Sequence, residues 1–124
     1  MDAEPTGLVT TIMHDTTDLD EAVGFWTRIL GMDVVHRDAT YAYLSRFDEA
    51  GPRLAFQLVP ESKVGKNRLH LDVKVPDRKG FEGLVVDLGG SVVHEQDVPG
   101  YPTWTVMRDP QGNEFCIYEA TEMP

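Results

Sequence analysis

A chain of 124 residues, 41 % hydrophobic and 26 % charged, is long enough to fold as one globular domain without covalent staples. Its formal charge of −10 argues against nucleic acid and anionic membrane surfaces as partners, because their phosphates would be repelled. One cysteine rules out an internal disulfide framework and fits a reducing cytoplasm; no apolar run approaches the roughly 20 residues that span a bilayer, and the N-terminus lacks a signal-peptide pattern.

In chain order, residues 1–7 read as a disordered tail and Leu8 to His14 as a strand with blurred alternation. Asp18-x-x-Glu21 is a capping pattern, with Asp18 accepting from first-turn amides and Glu21 reaching back. Ala22, Phe25, Trp26, Ile29 and Leu30 then fall on one helical stripe that packs on a sheet, and Gly31 stands where a left-handed cap is wanted. Strands are expected at 32–38, 40–47 and 53–59, and a polar linker at 60–67. Residues 68–75 alternate strictly, so Leu69, Leu71, Val73 and Val75 are expected on the buried side and Arg68, His70, Asp72 and Lys74 on the other. Asp77 caps a second helix with stripe Phe81, Leu84, Val85 and Leu88, weakened by Gly80 and Gly83. Strands at 91–97, 102–108 and 113–119 follow, then a short tail at 121–124.

The second half thus repeats the first: helix, Leu-Gly stop (Leu30-Gly31, Leu88-Gly89), Val-Val-His (34–36, 92–94), two more strands. One such unit cannot bury both faces of its own sheet, so two must pair. The expected fold is α+β, two tandem β-α-β-β-β modules forming a curved mixed sheet around a ligand cleft. The domain runs over 8–120, with module one at 8–60, the linker at 60–67 and module two at 68–120. Two arrangements stay open: the cleft closes within one chain or across a two-fold dimer.

Asp18-Leu19-Asp20 leading to Phe25-Trp26 and Leu30-Gly31, the run Asn67 to Asp72, and Asp109-Pro110-Gln111-Gly112-Asn113-Glu114-Phe115 resemble the vicinal oxygen chelate superfamily. That superfamily contains glyoxalase I, extradiol dioxygenases, fosfomycin-resistance enzymes and bleomycin-binding proteins. The resemblance covers residues 8 to 120, and it implies a homodimer. Metal-using members have four ligand positions, which fall here on Thr11, Gln57, His70 and Cys116. Only His70 matches the residue usual at its position, and Glu114 lies two residues before Cys116 on the same strand face. A catalytic divalent ion wants about three good donors and an open position, so a metal on His70, Gln57 and Cys116 would be incompletely held. The cofactor is left unknown, a divalent metal being one option.

His70 and Asp72 form the catalytic candidate, a base with an orienting carboxylate. Thr11, Met13, Tyr43, Gln57, Trp104, Cys116 and Tyr118 are the candidate ligand-binding residues. Cys116 has no basic neighbour at local spacing, so it reads as a small buried or pocket-facing thiol rather than a nucleophile. Trp26 reads as core, His36 and His94 as exposed, and His14 as a surface or turn residue. No hydrolase triad or phosphate-binding glycine loop is present. Two functions of different class follow. One is a small-molecule binder without a complete metal site. The other is a lyase, isomerase or dioxygenase working through a degenerate metal site or through metal-free acid–base chemistry at His70. The acidic balance favours neutral or cationic ligands, unless a local base such as Arg68 reverses it within the cleft.

Overall fold

The computed structural model describes Thr6 and residues 8–119, so the other residues of the expected tails, and the expected domain end at residue 120, lie outside the described residues. Module one contains β1 (Thr11–Thr16), α1 (Leu19–Leu30), β2 (Val34–Arg37), β3 (Tyr41–Arg46) and β4 (Arg53–Leu58). Module two contains β5 (Asp72–Val75), α2 (Arg78–Asp87), β6 (Ser91–Gln96), β7 (Trp104–Arg108) and β8 (Glu114–Glu119). Each module is a four-stranded mixed sheet, ordered β1-β4-β3-β2 and β5-β8-β7-β6. The helix carries the chain to the far edge and two hairpins bring it back, so the last strand lies parallel to the first. Among the described residues, strand pairing stays within each module.

Asp18 caps α1 by accepting from the Glu21 amide at 3.0 Å, and Gly31 closes it at φ 63°, a left-handed conformation that a Cβ would strain. Glu21 does not reach back. Its carboxylate instead accepts from Gln111 Nε2 at 2.6 Å, while the Asp18 amide donates to Thr16 Oγ1. The helix stripe is buried as expected, with Trp26 1 % and Phe25 2 % exposed. It packs on Ala42, Leu44, Leu54 and Phe56 of its own sheet and, through both aromatic rings, on Phe115 of the other. Module one therefore completes its core with a residue of module two. Asp77 caps α2 in the same way, but only Val85 on that helix is fully buried. Phe81, Leu84 and Leu88 are partly covered.

The strand expected over 68–75 is shorter. Only Asp72–Val75 joins the ladder, and Leu69 is 87 % exposed rather than buried. The Asn67 side chain takes the ladder's place: its Oδ1 accepts from the Glu114 amide at 2.9 Å and its Nδ2 donates to the Glu114 carbonyl at 3.2 Å. Leu71, Val73 and Val75 do face the core as the alternation requires.

Candidate functional site

In module two the alternation of β8 sends Phe115 and Ile117 to the core and leaves Glu114, Cys116 and Tyr118 on the face away from α2. Parallel pairing sets Asp72 beside Cys116, and antiparallel pairing sets Trp104 beside Tyr118. These residues, with His70 and Tyr101, line a cavity of about 430 Å³. That volume lies within the range of small-molecule sites, which pair apolar walls with a few convergent polar groups. His70 Nδ1 stands 3.6 Å from Asp72 Oδ1, and both side chains are about half or more exposed (48 % and 66 %), so water competes for the pair. The ligand atoms of His70, Asp72 and Cys116 lie within 4.8 Å of one another, and among the described residues no other such group of His, Cys, Asp and Glu forms. Burial, reinforced by the Asp72 and Glu114 carboxylates, pushes the Cys116 thiol up to about 11. At neutral pH it is a protonated thiol, which fits a lining residue rather than a nucleophile.

A second cavity, of about 610 Å³, is lined by residues of both modules. Met13 and His14 line it from β1, Asn67 to Leu71 from the segment before β5, and Gln111 from the β7–β8 turn. His70 lines both cavities. The cleft is thus lined by both modules of one chain. Of the sequence candidates, His70, Asp72, Trp104, Cys116 and Tyr118 come together, and Met13 lies across the inter-module cavity. Thr11, Tyr43 and Gln57 line neither. Tyr43 pairs with Ala55 and Gln57 with Asp15 and Tyr41, all on sheet one. His36 and His94 are exposed, as expected.

Three residues carry roles not assigned from the sequence. His14 is largely buried, edge-on to Trp26 and Phe56 with ring centroids 5.7 and 5.9 Å away, and its Nδ1 has no hydrogen-bond partner. Burial holds its pKa below the usual imidazole value, against the opposing pull of Asp109 and Asp15. Asp109, 5 % exposed, accepts from Trp26 Nε1 at 3.2 Å, from the Gln111 and Asn113 amides at 3.0 and 2.8 Å, and from Asn113 Nδ2 at 3.0 Å. Gln111 adds a second clasp, accepting from the Thr17 amide and hydroxyl while donating to Glu21. The Asp-Pro-x-Gly-Asn turn was visible in the sequence as a motif; its target on α1 was not.

Residues 11–118 match the model of a glyoxalase-like domain. Among solved structures, a glyoxalase-related enzyme from Fulvimarina pelagi superposes with a TM-score of 0.71 at 19 % identity, over 91 % of this chain and 88 % of that one. A glyoxalase/bleomycin resistance protein/dioxygenase family enzyme from Burkholderia phytofirmans PsJN gives 0.72 at 16 %, over 91 % and 98 %. The trypanothione-dependent glyoxalase I of Leishmania major gives 0.70 at 20 %, over 94 % and 88 %. These likenesses establish the fold. No curated protein matches the sequence.

Proposed function

This chain belongs to the glyoxalase-like domain family, and we propose that it binds a small, partly aromatic organic molecule on the inner face of module two. The observation that carries this reading is the cavity of about 430 Å³ in which Trp104, Tyr101 and Tyr118 offer ring surface beside His70, Asp72 and Cys116. The aromatic walls would supply apolar contact, and the His–Asp pair would orient one polar group of the ligand. The homodimer implied by the resemblance belongs to the same reading. Its support is the exposed valines on the outer edge strands, Val34 and Val35 on β2 and Val92 on β6.

The divalent ion implied by the family would call on Thr11, Gln57, His70 and Cys116. That set fits poorly here: Thr11 and Gln57 carry no charge and belong to sheet one, outside the cavity that holds His70 and Cys116. A second reading rests on the cluster that does form, His70, Asp72 and Cys116. Imidazole, carboxylate and thiol together suit zinc rather than magnesium. An ion held there would supply Lewis-acid polarisation of a ligand oxygen. Without an ion there, His70, oriented by Asp72, would be free to move a proton.

A thermal-shift screen of neutral and cationic aromatic compounds on wild type, Trp104→Ala and His70→Ala tests the binding reading. Compounds that stabilise wild type and His70→Ala but not Trp104→Ala support it. No stabilising compound, or equal shifts in all three proteins, refutes it. Elemental analysis after zinc loading and dialysis separates the second reading: stoichiometric zinc lost in His70→Ala favours it.

A further inference from the structure

We infer that the pocket between the linker and the β7–β8 turn is an oxyanion site. In a chain with 21 acidic and 11 basic residues, Lys63, Lys66 and Arg108 converge on one pocket of about 300 Å³. The carboxylate there is Glu114, whose two oxygens sit 3.5 Å from Lys66 Nζ and 3.5 Å from Arg108 Nη2. Both distances exceed the 2.7–2.9 Å typical of a tight charge-assisted hydrogen bond. Lys66 stays 73 % exposed and Arg108 48 %, so neither cation is committed to Glu114 alone. Three cations against one carboxylate leave a local excess of two positive charges where the molecule as a whole is strongly negative. Such an excess focuses anions onto this concave patch.

The backbone keeps the pocket open. Gly65 and Gly112 line it at φ 77° and 85°, and a Cβ at either would meet nothing, so the mouth is bounded by chain that carries no side chain. The planar guanidinium of Arg108 and the flexible ammonium groups of Lys63 and Lys66 match a carboxylate or a phosphate, with Arg108 able to take two oxygens at once. Lys63, Gln111 and Glu114 also line the inter-module cavity, so a charged group seated here is continuous with the cleft. The acidic net charge alone points to neutral or cationic ligands; this patch reverses that preference locally.

Inorganic phosphate and malonate, each compared with sodium chloride at equal ionic strength, test the site by thermal shift and, for phosphate, by ³¹P line broadening. The proteins are wild type, Lys63→Gln/Lys66→Gln, Arg108→Gln and, as a control, Arg46→Gln on β3. The site predicts a saturable rise of about 5 °C in wild type at ten times the dissociation constant. It predicts the same rise in Arg46→Gln, and phosphate affinity at least tenfold weaker in the double variant and in Arg108→Gln. The larger of the two anion responses identifies the recognised group as phosphate or carboxylate. A rise that never saturates, that is equal in all four proteins, or that is absent from wild type overturns the inference. Because neither anion has a ring, this result is independent of the aromatic binding tested above.

Discussion

Replacing Asp109 by Asn tests how the two modules are joined. The change keeps shape and volume and keeps Oδ1, which serves the Gln111 and Asn113 amides. It converts Oδ2, which accepts from Trp26 Nε1 and Asn113 Nδ2, into a donor facing two donors. Two hydrogen bonds to a charged acceptor are lost, each worth about 1.5–3 kcal/mol, and the buried indole N–H is left unpaired. The expected destabilisation is about 3–5 kcal/mol. For 124 residues, an unfolding entropy of about 2.1 cal/mol/K per residue makes 1 kcal/mol worth about 4 °C. The melting temperature should therefore fall by about 12–20 °C. Urea unfolding of Asp109→Asn, Trp26→Phe and the double variant, followed by circular dichroism, reads the effect and yields a coupling energy of about 1 kcal/mol or more between the two sites. An Asp109→Asn protein within about 1 kcal/mol of wild type would refute the reasoning, since an exposed turn residue behaves that way.

Three further outcomes follow from single residues. In the unfolded chain His14 takes up its proton near pH 6.5, whereas in the folded chain burial delays uptake to lower pH. Its contribution to stability is therefore full above about pH 7 and is lost as pH falls below about 6.5, at up to about 1.4 kcal/mol per pH unit. The difference in unfolding free energy between wild type and His14→Gln should shrink from pH 7.5 to 5.5; a constant difference contradicts the placement. Gly90→Ala would set a Cβ 2.5 Å from the Arg108 carbonyl oxygen and 2.6 Å from Val85 Cγ1, so the α2–β6 connection must shift at a cost of about 2–4 kcal/mol. Gly83→Ala, in the open on α2, should instead raise stability by about 0.5–1 kcal/mol, and paired melting curves of the two variants check both signs.

What was legible in the sequence was local. The α1 stripe, its Asp18 and Gly31 caps and the burial of Trp26 follow from spacing within one helix, and they stand in the structure. Strand alternation likewise put His70 and Asp72 on the face opposite Val73 and Val75, whereas Cys116 was placed by the family resemblance. Alternation does not say where a ladder ends, so Leu69 was read as buried although Asn67, pairing through its side chain, holds that segment outside the strand. Non-local partners were invisible. Glu21 has the spacing of a capping box but turns to Gln111, 90 residues away. His14 was read as a surface or turn residue because nothing near it in sequence shows that Trp26 and Phe56 close over it. The four matched ligand positions divide for the same reason: Thr11 and Gln57 belong to one sheet, His70 and Cys116 to the cavity on the other.

The central claim, ligand binding in the module-two cavity, is tested most directly by the fluorescence of Trp104 alone. Trp26 is the only other tryptophan, so in Trp26→Phe, checked by circular dichroism to be folded, emission reports the cavity wall. A compound from the aromatic screen whose binding is measured by calorimetry should quench or shift that emission with the same dissociation constant. Calorimetric binding that leaves Trp104 emission unchanged through saturation would contradict the account and place the ligand elsewhere.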